Sequence, residues 1–340
     1  MVSRVLAPLL APLLAPLWAP LLAGMLVGLS LALSGCGDAS PTREAGPMRV
    51  VVSIGPLEGL IRPLLPPDAE ITVLVEPGQS VHGYELPPDR VGALARADLV
   101  AIVGLGIESG MSRALRRAEG AAAVTMADAA GIEDVHAHHD HAHDHGHDHG
   151  HDHGADGVID HTCSGDAHLW LIPEHAESFV EAAADVINTW ALEHGVEWEA
   201  RRPAQQLIER IRLVDLELRR DLEPLKGSTI ITHHNSFTDF ARRYGLRIAG
   251  VVRPIESLEP TAAELADLRE RAREWGAQAV FVEPQFSPTA AVRLAQELEL
   301  PVGTLDPLGT PSGGDWFDLM EAIRDGLTST LAPAAVVPGG

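Results

Sequence analysis

Residues 48–54 read MRVVVSI, and this stretch decides the fold. It is a nearly continuous apolar run around three consecutive valines, which is typical of a parallel strand that is buried on both faces. Moving outward, similar runs lie at residues 71–75 and 98–103, and short helical patterns lie at residues 57–65 and 89–96. Strands that alternate with helices predict a parallel sheet covered by helices.

The second half of the chain repeats this pattern. It contains four further strand-like runs, at residues 228–231, 246–252, 279–282 and 302–305. Helical patterns lie at residues 237–244, 261–275, 288–298 and 316–327. Between the halves, residues 173–225 have helical periodicity, and Pro203 marks either the meeting of two helices or a fresh helix start. We therefore predict an α/β fold of two parallel-sheet lobes joined by a long rigid backbone helix.

The N-terminus is typical of an exported protein. A charged start and a long apolar run precede Ser34 and Gly35, and Cys36 follows as in a bacterial lipobox. A transmembrane anchor is the alternative, but prolines that break helices recur every four residues, at Pro8, Pro12, Pro16 and Pro20. We predict that Cys36 is acylated and that the protein is periplasmic or at the cell surface, attached to the membrane through this lipid.

These patterns divide the chain into five parts. The predicted parts are a signal peptide at residues 1–35, a tether at 36–48, an N-terminal α/β lobe at 49–172, linking helices at 173–226 and a C-terminal α/β lobe at 227–335. A His-rich loop at residues 133–162 is an insertion in the first lobe.

Charge and cysteine content exclude several classes. The net charge of −23 argues against nucleic acid as a partner and favours cations near the surface. Cys36 and Cys163 are the two cysteines, so lipidation of Cys36 leaves no disulfide. Cys163 lies close to histidines in the sequence, but a spare thiol is the better interpretation than a metal ligand.

The His-rich loop indicates metal binding. Imidazole and carboxylate groups bind Zn²⁺ and related ions, and aspartates alternate here with ten histidines. These are His136, His138, His139, His141, His143, His145, His147, His149, His151 and His153. The segment lacks the apolar residues needed for a core, so we expect a mobile accessory metal loop and not a defined site.

Candidate ligands for a defined site follow predicted strands. His82 comes after the second strand, the pair His233 and His234 follows residues 228–231, and Asp306 follows the last strand, while His168 lies just beyond the mobile loop. Ligands bind beyond the carboxyl ends of strands in open α/β sheets. Any one such histidine alone is more often solvated, but three imidazoles and one carboxylate fit a tetrahedral zinc site.

Several motifs at these positions resemble one family. The motifs are PGxxxHxYE at residues 77–85, DxHLW at 166–170, the histidine pair with YGL at 244–246, EPQF at 283–286 and TLDPLG at 304–309. From residue 49 onward the chain resembles the zinc-binding lipoproteins of bacterial ABC importers, the ZnuA-like group of cluster A-I substrate-binding proteins. The resemblance implies two α/β lobes joined by a long backbone helix, with metal in the interlobe cleft.

The resemblance also implies the ligand set. By it, the metal ligands are His82, His168, His234 and Asp306. A histidine at the third position, where the manganese branch has glutamate, is similar to the zinc branch, as is the acidic His-rich loop.

Two positions depart from the family pattern, and one further position is a candidate support. Val81 stands where many relatives have an acid, and Asn235 stands where many have aspartate, which could weaken the site. Glu283 is a candidate to support a ligand from behind, and a salt bridge to an arginine is the alternative.

Together these features predict an extracytoplasmic, high-affinity zinc-binding component of an ABC importer, which delivers Zn²⁺ to a permease that works with its ATPase. We expect a monomer. The alternatives are a protein for Mn²⁺ or another divalent metal, and a zinc buffer or adhesin without a transport role. We expect no enzyme and no catalytic residue, because four protein ligands leave no open position on the metal. Zinc is then the transported ligand.

Overall fold

The computed structural model describes residues 46–118, 120–132, 166–254, 258–309 and 315–331. The predicted signal peptide, Cys36, the histidines of residues 136–153 and Cys163 lie outside these ranges. Within the described ranges, no helix is both long enough and apolar enough to cross a membrane.

The first sheet has four parallel strands in the order β2-β1-β3-β4. They are β1 (Arg49–Val52), β2 (Glu70–Val73), β3 (Leu99–Ile102) and β4 (Ala122–Thr125). Val50 in the central strand lies opposite Ile71 on one side and Leu99 on the other, and it is buried. The predicted strands β1 to β3 are confirmed. The edge strand β4 was not predicted, since it begins with two alanines, which have low strand propensity.

Short helices connect these strands. They are α1 (Gly55–Ile61), α2 (Pro88–Leu94), α3 (Ser112–Leu115) and α4 (Met126–Ala129). Helix α1 ends earlier than predicted and continues as a 3₁₀ turn over Arg62–Leu64. The reason is Pro63, which has no N–H to donate to the preceding helical turn.

Two helices of 22 residues each link the sheets. They are α5 (Pro173–His194) and α6 (Arg201–Leu222). Pro203 does not mark the meeting of the two helices, and the alternative, a fresh helix start at the proline, is confirmed. Helix α5 ends at Gly195, whose positive φ of 65° closes a left-handed C-cap. Pro203 lies instead in the first turn of α6, where a missing N–H removes no helical hydrogen bond.

The second sheet has the same topology, with parallel strands in the order β6-β5-β7-β8. Its strands are β5 (Thr229–Thr232), β6 (Arg247–Val251), β7 (Ala279–Val282) and β8 (Val302–Thr304). Its helices are α7 (Thr238–Tyr244), α8 (Ala262–Glu274) and α9 (Thr289–Leu298). All four predicted strands are present, which confirms a fold of two parallel-sheet α/β lobes.

The last helix, α10 (Trp316–Leu331), returns to the first half of the chain. Its first residue lies against α1, where the Trp316 backbone is so close that a Cβ at Gly59 would lie 2.6 Å from it. The Trp316 indole donates a hydrogen bond to the carbonyl of Trp170 at 2.7 Å. The Trp170 indole in turn donates to the carbonyl of Pro307 at 2.6 Å. Two buried indoles thus tie the loops after β8 to those before α5.

Candidate metal centre

Three loops bring one histidine each to a common point. His82 lies in the loop that follows β2, and its N–H donates to Ser80 Oγ at 3.1 Å. His168 directly precedes a 3₁₀ turn at Leu169–Leu171. His234 follows the end of β5 by two residues. The first two come from the first half of the chain and the third from the second half.

The geometry of these histidines fits a single metal ion. The Nε2 atom of His168 lies 3.4 Å from that of His82 and 3.2 Å from that of His234. Two nitrogen ligands on one tetrahedral zinc ion, each at about 2.05 Å, are about 3.3 Å apart. Among the described residues, this is the one group of potential ligands whose atoms all lie within 4.8 Å of one another.

Two of the rings each have a carboxylate behind them. Asp166 Oδ1 accepts a hydrogen bond from His168 Nδ1 at 2.7 Å. The carboxylate of Glu283 accepts one from His234 Nδ1, at 2.7 Å from Oε1 and 2.6 Å from Oε2. With the proton on Nδ1, each ring keeps its Nε2 lone pair for a metal. Sequence reasoning named Glu283 but missed Asp166, although its place two residues before His168 was a usable signal.

Burial and the neighbouring histidines keep His82 uncharged. Desolvation, with a smaller effect of the neighbouring His168 and His234, lowers the pKa of His82 to about 3, and Asp166 partly opposes this shift. Burial raises the pKa of Asp166, but the hydrogen bonds and electrostatic interaction with His168, together with the N–H of Asp239, outweigh this effect. The pKa of the Asp166 carboxyl is therefore below its usual value. A neutral imidazole beside an ionised support is the state that binds a divalent metal.

Asp306 lies apart from this group. It follows β8, and its Oδ1 accepts hydrogen bonds from Gln285 Nε2 at 2.6 Å and from the N–H of Leu308 at 2.9 Å. Burial raises the pKa of Asp306 above its ordinary value, and those hydrogen bonds partly offset the rise. The structure therefore brings together three of the four expected ligands, and Asp306 is not among them. Asp306 is instead hydrogen-bonded to Gln285, which sequence reasoning did not name.

The neighbouring residues explain the choice among histidines. His233 points away from the group, since its Nδ1 accepts the N–H of Glu283 at 3.1 Å and its ring packs on Phe286. The Asn235 side chain accepts a hydrogen bond from Thr238 Oγ1 at 2.5 Å. Glu283, and not a carboxylate at position 235, therefore supports His234.

Apolar side chains close the site. Val81, directly before His82, is buried in the core and carries no acidic group. The ring of Trp170 lies 5.1 Å from that of His168, and Phe286 lies 5.4 Å from His234. The remaining space, about 10 Å³, is close to the volume of a single water or ion. Such a site suits a partly dehydrated cation and is too small for an organic ligand.

Comparisons with known proteins identify the family of this chain. The family model described as zinc-uptake complex component A, periplasmic, matches residues 50–330. The high-affinity zinc uptake system protein ZnuA of Haemophilus ducreyi is 30% identical over 291 residues, which cover 83% of this chain and 93% of that protein. The protein of the same name from Brucella abortus is 28% identical over 295 residues, covering 81% of this chain and 87% of its own.

Solved structures share the fold. A crystal structure of ZnuA matches with a TM-score of 0.66 at 23% identity, over 84% of this chain and 100% of that one. The periplasmic zinc-binding protein TroA of Treponema pallidum matches with a TM-score of 0.67 at 18% identity, over 85% and 100% of the two chains. Since the family model spans most of the chain, the chain belongs to the family of periplasmic zinc-uptake components.

Proposed function

We propose that this protein captures Zn²⁺ outside the cytoplasmic membrane and delivers it to the permease of an ABC importer. The convergence of three Nε2 atoms, with spacings of 3.2 and 3.4 Å, carries the proposal. Neutral imidazoles suit zinc, whereas manganese prefers oxygen ligands, so the donor set favours zinc. The relatives from Haemophilus ducreyi and Brucella abortus both carry names that state zinc uptake.

The proposed ligands are His82, His168, His234 and Asp306. The imidazoles form the preassembled part of the site, and the carboxylate completes a tetrahedral set. Such a set leaves no position for an activated water, so we assign no catalytic residue and treat zinc as cargo. The binding energy is then spent on holding the ion until the permease takes it.

Two parts of the proposal rest on sequence alone. A lipid on Cys36 keeps the monomer at the membrane surface, beside the permease and its ATPase. The histidines of residues 136–153 bind zinc weakly and raise its concentration near the tight site. Both parts lie outside the described residues.

The test is zinc-limited growth and ⁶⁵Zn uptake in a host strain that lacks its own copy of the gene. The wild-type protein should restore uptake and His168→Ala should not. His194→Ala is the matched control, because His194 is an exposed histidine outside the site, and it should restore uptake fully. If the wild type binds zinc tightly in vitro but does not restore uptake, a zinc buffer or adhesin replaces the importer component.

A further inference from the structure

Gln285 lies between the three histidines and Asp306. It comes three residues after the end of β7, and it lines the small cavity together with His82, His168 and His234. Its Nε2 donates to Asp306 Oδ1 at 2.6 Å, a short hydrogen bond to a carboxylate. Asp306 itself is outside the group of ligand atoms that lie within 4.8 Å of one another.

The other end of the same amide is unsatisfied. Gln285 Oε1 is buried and has no hydrogen-bond partner among the described residues. A buried acceptor without a donor is unfavourable. Satisfaction of all the hydrogen bonds of the amide therefore does not explain its orientation. The bond to Asp306 therefore fixes the orientation, and the amide is free to turn once Asp306 leaves.

We propose that Gln285 sets the coordination number of the site by competing with the metal for Asp306. Without metal, Gln285 holds the carboxylate away and the three imidazoles form an open site. With metal, Asp306 leaves Gln285 and becomes the fourth protein ligand, which closes the site. This inference rests on the proposed function. It assigns to Gln285 the role of weakening zinc binding so that the ion can be released.

The chemistry of an amide suits this role. Gln285 is neutral, so it binds Asp306 without neutralising the charge that the cation needs. An arginine at this position would form a bidentate ion pair with Asp306 and would hold the carboxylate back more strongly. The loop after β7 thus acts at two points, since Glu283 orients His234 and Gln285 restrains Asp306.

The test is the rate of zinc dissociation, measured by transfer of zinc from the loaded full-length protein to an excess of a chromogenic chelator. Gln285→Leu removes the competing donor and should slow dissociation roughly 10- to 100-fold, the effect of one hydrogen bond to a charged group. Gln278→Leu is the matched control. Gln278 is exposed, lies directly before β7 and should leave the rate unchanged.

A double-mutant cycle identifies the partner. In an Asp306→Asn background, Gln285→Leu should change the rate less than twofold, because the carboxylate for which Gln285 competes is gone. Bound Co²⁺ gives a further readout. Its visible absorption should be the same in the wild type and Gln285→Leu, and should change in Asp306→Asn as the oxygen ligand is lost.

Three results would contradict the inference. They are an unchanged rate in Gln285→Leu, an equal change in the Asp306→Asn background, and an unchanged Co²⁺ spectrum in Asp306→Asn. Gln285→Met, with a side chain of similar length, replaces the leucine variant if that variant does not fold. Loss of tight zinc binding in the wild type would contradict the proposed function and this inference with it, whereas an unchanged Gln285→Leu rate contradicts this inference alone.

Discussion

Two of the three imidazoles in the candidate site, those of His168 and His234, owe their orientation to carboxylates behind the rings. Asp166 accepts hydrogen bonds from both the ring Nδ1 and the backbone N–H of His168, at 2.7 and 3.0 Å. Glu283 does the same for His234, with its backbone N–H bond at 3.1 Å. Each carboxylate therefore fixes the tautomer and the ring position together. The cost of ordering these side chains is met before the metal arrives.

Glu283→Gln should weaken zinc binding by roughly 10- to 100-fold, because the amide supports the His234 tautomer less well than a carboxylate does. Competition with a zinc-selective fluorescent chelator measures this loss. Glu274→Gln is the control. Glu274 is exposed in the last turn of α8, and its variant should bind as the wild type does. A loss of less than twofold in Glu283→Gln would show that the carboxylate does not tune the ligand.

The stability of the metal-free protein should depend on pH through His82. Its pKa is about 3 in the folded protein against an ordinary value of 6.5, so the unfolded chain binds a proton that the folded chain excludes between these values. The free energy of unfolding should therefore be highest above pH 6.5 and fall as the pH drops towards 3. Burial lowers the pKa of His175 and His233 as well, which adds to the same trend.

Urea unfolding of the metal-free protein at pH 7 and pH 5 measures this dependence. His82→Asn should reduce the loss of stability between the two pH values, because one excluded proton is removed. His194→Asn, at an exposed position, should keep the wild-type dependence. Equal losses in the wild type and His82→Asn would contradict the half-buried, neutral state of His82.

At the scale of the element, close contact between α1 and α10 depends on one glycine. Gly59 lies inside α1, where glycine disfavours the helix, yet a Cβ there would lie 2.6 Å from the backbone nitrogen of Trp316. The approach of the two backbones therefore decides the residue. Sequence periodicity predicted both helices but could not show that they meet.

Gly59→Ala should lower the free energy of unfolding by about 1–3 kcal/mol, because the backbone of α10 has to move to make room. Gly92→Ala is the matched control in α2, where the nearest atom to a new Cβ is the flexible end of Arg96 at 3.4 Å. There the gain in helix propensity should stabilise the protein by about 0.5–1 kcal/mol. Urea unfolding of both variants measures the difference, and a shift of the same sign in both would contradict the contact.

At the scale of the whole molecule, the two halves are joined at the site itself. Asp166, which supports His168, also accepts the N–H of Asp239 in α7 through its other oxygen at 3.4 Å. Arg243 of α7 contacts Glu174 of α5 and forms an ion pair with Asp215 of α6 at 2.9 Å. The linking helices and the metal loops thus share their contacts, which argues against a wide hinge between the two halves.

Deletion of residues 134–160 should leave one tight zinc equivalent and remove several weak ones, because the ligands of the tight site lie outside the deleted segment. Calorimetric titration with zinc resolves the two classes. His168→Ala in the full-length chain gives the opposite pattern, with the tight event lost and the weak events kept. Loss of the tight event on deletion would mean that the His-rich segment contributes a ligand to the tight site.

The sequence by itself determined the parallel sheets, the class of ligand and three of the residues that converge. These features are local, because continuous apolar runs specify buried strands and imidazole side chains specify the kind of metal. Only the tertiary structure decided that Asp166 supports His168 and that Gln285 holds Asp306. Such choices depend on distances between segments far apart in the chain, and local periodicity carries no information about those distances.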